Sequence, residues 1–458
     1  PVSTFSIDVD TGSYSNVRRM LNNGTRPPAD SVRAEEIINY FDFGYAAPTS
    51  RRQPFSVNTE IAAAPWNPKH QLMLVGIKGY EIERSKIPAA NIVFLIDTSG
   101  SMSSEDKLPL LISSFKEMVG KLRPQDRVSI VVYAGSAGLV LPATSGAEKE
   151  TILQSLDRLQ AGGSTNGGEG IALAYKIAKD NFISNGVNRV ILATDGDFNV
   201  GIYDTEMLKT LVADQRKSGI ALTTLGFGQG NYNDQMAEQL ADVGNGNHAY
   251  IDNLNEGKKV LVEEMSSTMM TIAQDVKIQV EFNPSVVAEY RLIGYENRKL
   301  NREDFNNDKI DAGEIGAGHD VTALYEITLV GSGGEIVSPL RYAKTAAVAT
   351  NKPDEIALLR LRYKQPGNEQ SQLIEKPMLR SGISAKPSDR MKLAASLAAY
   401  ADLLRGGKNS GQFKWNDVRQ LAASVSLPDS WGYRAEFIGL VDQASRLTGT
   451  PDVAQISE

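Results

Sequence analysis

Residues 91–102, NIVFLIDTSGSM, pass abruptly from apolar to polar. Ile92, Val93, Phe94, Leu95 and Ile96 form an unbroken apolar run, the pattern of a short strand buried on both faces. It stops in Asp97-Thr98-Ser99-Gly100-Ser101. In an open parallel sheet, ligands bind outside the carboxyl ends of the strands, so a polar cluster at such an end marks a candidate site. Asp97, Ser99 and Ser101 are all oxygen donors, and Gly100 lets the turn bring both hydroxyls to one point. Hard oxygen ligands suit a hard divalent cation such as Mg2+.

Working outward, strand and helix patterns alternate. Residues 108–122 place Leu111, Phe115, Met118 and Leu122 at helical spacing, and 127–133 (RVSIVVY) read as a strand. Helices follow at 148–159 and 171–182, a strand at 189–194, a helix at 206–217 and a strand at 220–225. A helix at 234–243, a strand at 248–251 and a closing helix at 254–270 complete the series. Such alternation means a parallel sheet with helices on both faces.

Asp97-x-Ser99-x-Ser101 after a hydrophobic strand resembles the metal-ion-dependent adhesion site of von Willebrand factor A domains. That resemblance implies a Thr and an Asp from two further loops. Thr165 lies in Gly162-Gly163-Ser164-Thr165-Asn166-Gly167-Gly168, and Asp195 follows the strand RVILAT in Asp195-Gly196-Asp197. The implied metal set is Asp97, Ser99, Ser101, Thr165 and Asp195, with Mg2+ expected and Mn2+ or Ca2+ as alternatives. Mg2+ keeps near-octahedral geometry, which leaves a position for an incoming group; in the family that group is a partner's Asp or Glu. The competing reading gives Ser99, Ser101 and Thr165 to helix and turn capping.

A length of 458 residues predicts several domains. A net charge of -7 and the lack of basic runs offer no electrostatic case for nucleic acid. With no cysteine, thiolate metal sites and thiol nucleophiles are excluded. No apolar stretch has the length of a membrane-spanning helix. Gly226-Phe227-Gly228-Gln229-Gly230 follows a strand, but Asn231 stands where a dinucleotide loop needs its third glycine, so a plain turn is expected. His70, His248 and His319 have no paired spacing and read as structural.

Outside the central region the period changes. Residues 5–45 read as helical, with one helix stopped by Gly24 and another over 31–43; Asp8 and Asp10 suit turn and capping roles. Alternating strands appear at 55–61 and 71–78 and return at 276–282, 288–293, 320–330 and 356–363. Isolated hairpins are marginal, so these strands predict one β-sandwich interrupted by the central domain. Residues 304–314 (DFNNDKIDAGE) begin like a calcium loop, then depart from it: Lys309 holds the glycine position and Ile315 the closing glutamate position. A solvated loop is expected there, with a calcium-type site as the alternative. Helices at 390–405, 415–424 and 433–447 close the chain.

The expected fold class is α/β plus all-β plus α. A doubly wound, Rossmann-like von Willebrand A domain (89–274) is inserted into a discontinuous β-sandwich (51–88 and 275–365), with an N-terminal helical segment (1–50) and a C-terminal helical region (366–458).

Residues 6–43 (SIDVDTGSYSNVRRMLNNGTRPPADSVRAEEIINYFDF) and 286–327 (VVAEYRLIGYENRKLNREDFNNDKIDAGEIGAGHDVTALYEI), with the A domain, resemble the bacterial YfbK-like von Willebrand A-domain lipoproteins. The resemblance implies an export signal and a lipidated cysteine upstream of residue 1, hence a lipid-anchored periplasmic or surface-facing protein of the cell envelope. The function expected is non-enzymatic, metal-dependent protein binding, as in adhesion or scaffolding, with an acidic partner side chain at the metal. A cytosolic adaptor for a separate ATPase and, further off, a metal-dependent hydrolase are the alternatives. No general base is positioned in sequence near the five ligands.

Overall fold

The computed structural model describes residues 2–50, 52–196, 204–229, 234–310, 312–337 and 352–448. The chain forms two compact units, one built from Asp10–Ser15 and Ile82–Met270 and the other from the remaining segments.

In the first unit a six-stranded sheet runs in the order Ala137–Ser145, Arg127–Tyr133, Ala90–Asp97, Val187–Thr194, Ile220–Phe227, His248–Ile251. All pairings are parallel except that of Ala137–Ser145, an edge strand folded back on Arg127–Tyr133 and not anticipated from sequence. Every residue of Ala90–Asp97 is buried. Ile92, Phe94 and Ile96 enter one core with Leu111 and Phe115, while Val93 and Leu95 enter another with Ile171 and Leu208. The unbroken apolar run is thus a strand covered by helices on both faces. Its neighbours in space, Arg127–Tyr133 and Val187–Thr194, lie on opposite sides, so the sheet reverses its order at Asp97. That is the switch point where open α/β sheets bind ligands.

The expected closing helix over 254–270 is not continuous. It runs as Leu254–Lys258, a π turn at Lys259–Glu263, and Met265–Met269. Buried Lys259 lies in the π turn, where its ammonium meets Glu264 at 2.5 Å. Burial pulls the Lys259 ammonium down, and the charges of Glu264 and Glu256 outweigh it, leaving the group above its ordinary value.

The second unit contains the expected sandwich. One sheet runs Val2–Ser6, Thr271–Phe282, Glu355–Lys364, Gln372–Leu379, and the other Val287–Leu292, Asp320–Leu329, Asn67–Gly79, Phe55–Ala64, Ile383–Ser384. Inward side chains of both, among them Val75, Ile77, Ile278, Val280, Tyr325 and Leu361, share one core. The A domain leaves the sandwich after Asn67–Gly79 and returns at Thr271, as the interrupted alternation predicted.

Several boundaries move. The N-terminal segment is not wholly helical, because Val2–Ser6 pairs antiparallel with Thr271–Phe282, Phe5 opposite Ile278. The helix expected over 31–43 shrinks to Ala34–Ile38. Asn39 ends it by acting as a strand partner: its Oδ1 accepts from Thr322 N at 2.7 Å and its Nδ2 donates to Thr322 O at 3.0 Å. The region from 366 begins with the strand Gln372–Leu379, which contains Pro377; on a sheet edge the missing N–H breaks no ladder.

The N- and C-terminal helices are one packed layer rather than two separate regions. Buried Arg18 donates to Tyr40 Oη at 3.0 Å and to Glu436 at 2.9 Å. Phe437 packs edge-on against both Phe41 and Tyr400. Among the described residues no helix is long and apolar enough to cross a membrane.

Candidate metal centre

The parallel register sets Ile96 beside Ala193 and Asp97 beside Tyr133, so the loops carrying Asp97 and Asp195 leave the sheet at the same edge. Asp97 is fully buried. Its Oδ1 accepts from Ser99 N at 2.9 Å and its Oδ2 from Thr194 Oγ1 at 3.3 Å. These bonds hold the carboxylate as a fixed anchor under the loop. Ser99 Oγ and Ser101 Oγ lie 3.0 Å apart. Ser99 stands at the N-cap of the turn Gly100–Ser103 yet makes no side-chain cap bond.

The loop supplying Thr165 is sewn to this one by backbone. Gly100 N donates to Gly163 O at 3.0 Å and Gly162 N to Thr98 O at 2.8 Å. Gly163 adopts φ +85°, which favours glycine. Thr165 follows two residues later, and the cap of the next helix, Gly167–Asp180, is Asn166, whose side chain accepts from Glu169 N. Thr165 is therefore not spent on that cap.

Asp195 is buried and its Oδ2 accepts from Lys107 Nζ at 2.9 Å. The same ammonium donates to Ser101 O at 2.9 Å. Burial pushes the Asp97 carboxyl up to about 6; the Ser99 hydrogen bonds work against that and the charge of Asp195 adds to it. Two buried carboxylates beneath the paired hydroxyls of one loop fit a hard cation: the donors are oxygen only, and the buried negative charge is what a cation would offset. Asp197 lies outside the described residues.

Lys107 carried no signal in the motif reading, although one existed. It immediately precedes the helix Leu108–Gly120, where the helix dipole disfavours a cation. The glycine loop set aside as a plain turn also belongs here. Gly228 has φ +85°, and a Cβ there would fall 2.4 Å from Lys107 Cε and 2.7 Å from its Cγ, so the lysine stem lies across the bare glycine.

Most of the other candidates have hydrogen-bond partners within the fold. Lys277 Nζ donates to Asn307 O at 2.6 Å and Asp304 O at 3.2 Å, and Lys364 Nζ to Asp308 O at 2.7 Å. Lysine ammoniums thus tie backbone carbonyls of this turn to neighbouring strands; Asp311 lies outside the described residues. His70 is held by Glu326 at 2.7 Å and Gly334 O at 2.9 Å, and His248 by Thr224 at 2.8 Å. Asp10 accepts from His248 N at 3.1 Å.

A doubly wound sheet with these loops at its switch point defines a von Willebrand factor A-domain protein, and the von Willebrand factor type A domain family matches residues 91–262. A second family, described as von Willebrand factor, matches residues 1–74, and the C-terminal family of uncharacterized protein YfbK matches 267–447. The chain belongs to the YfbK family: it is 48% identical over 462 residues to uncharacterized protein YfbK of Escherichia coli (strain K12), covering 99% of this chain and 79% of that one. It is also similar to inter-alpha-trypsin inhibitor heavy chain 4 of Mus musculus, 28% identical over 146 residues, 30% of this chain and 15% of that protein. Among solved structures, von Willebrand factor type A from Catenulispora acidiphila aligns over 88% of this chain and 91% of its own, with TM-score 0.45 and 13% identity. Proteins with A domains commonly serve in protein–protein interaction or adhesion.

Proposed function

We propose that this chain is a non-enzymatic, metal-dependent protein-binding component of the bacterial cell envelope, held by a lipid anchor upstream of residue 1. Asp97, Ser99, Ser101, Thr165 and Asp195 hold the metal, with Mg2+ preferred and Mn2+ or Ca2+ also accommodated. A bound divalent cation supplies a coordination position for a carboxylate. The neutral hydroxyls leave most of its charge available, so a partner's Asp or Glu is the matching ligand. Asp97, with both carboxylate oxygens engaged by Ser99 N and Thr194 Oγ1, acts through water or by fixing the loop.

The observation that carries this reading is the Ser99–Ser101 hydroxyl pair, 3.0 Å apart, beside buried Asp97 and with Ser99 free of capping duty. The test is isothermal titration of chelator-treated protein with Mg2+, Mn2+ and Ca2+, comparing the chain with Asp97→Ala. One-site binding lost in the variant is expected; equal heats from both would overturn the reading. Fractionation of cells making the full-length protein checks the location, which a purely cytosolic distribution would refute.

A further inference from the structure

Resting on that metal-site reading, we propose that Lys107 is a tethered counter-ion that competes with the divalent cation for Asp195 and so sets how tightly the site loads. Its ammonium sits 2.9 Å from Asp195 Oδ2 and 2.9 Å from Ser101 O, on two of the residues that hold the metal. The side chains of the pair are 16% and 2% exposed, so solvent screens their attraction weakly.

Two further observations show that the placement is built. A cation just before the helix Leu108–Gly120 opposes the helix dipole, so Lys107 occupies a poor local position unless Asp195 compensates it. Its stem also depends on the missing Cβ of Gly228. That loop is pinned where Tyr250 Oη donates to Gly228 O at 2.5 Å, and Ser15 Oγ in turn donates to Tyr250 O at 2.8 Å. The lysine arm therefore lies in a slot made by the chain, with its charge delivered to one carboxylate.

An ammonium and a divalent cation drawn to the same carboxylate repel each other, so loading the metal requires the ammonium to withdraw or to weaken its hold. Lys107 also donates to the Ser101 carbonyl, which raises a different possibility: a residue that merely positions the loop. The two roles predict opposite signs. Removing a competitor tightens metal binding; removing a support weakens it.

The experiment is the Mg2+ and Mn2+ titration repeated on Lys107→Gln, which keeps a donor for Ser101 O without the charge, and Lys107→Met, which keeps the stem. Both are expected to bind at least about 10-fold tighter than the unaltered chain, about 1.4 kcal/mol. A second measurement needs no substitution. Amine acetylation read by mass spectrometry is expected to rise several-fold at Lys107 when Mg2+ is added, while Lys116 and Lys121 hold steady. Metal binding that depends on Asp97 but is unchanged or weaker in Lys107→Gln, or flat labelling of Lys107, would sink the counter-ion role alone. Absence of Asp97-dependent binding in every protein would sink the metal reading and this inference with it.

Discussion

Replacing Asp97 by Asn separates the stability of the A-domain unit from its metal chemistry, and the two effects have opposite signs. In the metal-free protein the Asp97 carboxyl rises from 3.8 to about 6 because it is buried, with Asp195 adding to the shift. A raised folded value means that the group's contribution to stability is complete below 3.8 and is lost as pH climbs through about 6. At 1.36 kcal/mol per pH unit, that gap is worth about 3 kcal/mol at pH 8, of which relaxation leaves about 1–2. The amide carries no charge to bury and its oxygen still accepts from Ser99 N. In chelator at pH 8, Asp97→Asn is therefore more stable by about 1–2 kcal/mol, and at pH 4 the two proteins converge. Saturating Mg2+ reverses the order, because the unaltered chain gains about 2.7 kcal/mol at a hundred times its dissociation constant and the variant gains nothing. Amide hydrogen exchange along Ala90–Asp97 reads this unit without assuming that the whole chain unfolds in one step. A variant less protected in chelator at pH 8, or one that gains as much from Mg2+ as the parent, would refute the reasoning.

Three other tests address the sandwich unit. Burial and the charge of Asp42 hold Asp320 up at about 7, against Lys78 and the bond from Phe43 N, so its contribution is complete at low pH and lost as pH passes about 7. Asp320→Asn should stabilise this unit by about 1 kcal/mol at pH 8.5 and leave it unchanged near pH 3.5, measured by exchange along Asp320–Leu329; equal effects at both pH values would contradict this. A Cβ on Gly76 would fall 2.2 Å from Tyr45 Cζ, and that buried ring is tied to Thr322 Oγ1 at 2.9 Å. Gly76→Ala should cost about 3 kcal/mol in urea unfolding, falling below about 1 in a Tyr45→Ala background; the same cost in both backgrounds would show that the ring is not the obstacle. Buried Lys277 already fills the carbonyls of the 304–308 turn, so millimolar Ca2+ should leave exchange over residues 301–310 unchanged, whereas Lys277→Met should cost about 2–4 kcal/mol. Calcium-dependent protection there would restore the calcium reading.

What was legible in the sequence was what is decided locally. The five-residue apolar run before Asp97 has the pattern of a strand buried on both faces, and the broken alternation at 55–78 and 276–363 pointed to a shared sandwich. The misreadings came where a distant segment overrode a local preference. Asn39 gave up its helix to pair with Thr322, 283 residues away in sequence. The strand Gln372–Leu379 fell inside the region expected to be helical, and its Pro377 is tolerated because the strand lies on a sheet edge. At 304–308, where a solvated loop is the expected reading, local sequence carries no sign that Lys277 and Lys364 arrive from other strands to bond its carbonyls.

Lys107 shows how such an override can be detected in advance. A lysine immediately before a helix is an electrostatic error by local rules, and an error retained in a folded chain needs a partner elsewhere to compensate it. Here the partner is Asp195, carried by a loop 88 residues downstream, and the passage to it is the bare backbone of Gly228. The glycine loop therefore does what neither of its sequence readings offered. It is more than a turn: by lacking a side chain, it lets one strand-end loop deliver a positive charge to another. If Lys107 is what makes Gly228 necessary, the two substitutions are not independent. Gly228→Ala should weaken the folded unit in the presence of Lys107 by more than about 2 kcal/mol, and by distinctly less once Lys107 is shortened to Ala, leaving only the strain of φ +85°. Equal penalties in both backgrounds would mean that the glycine serves its own turn and that the lysine merely rests against it.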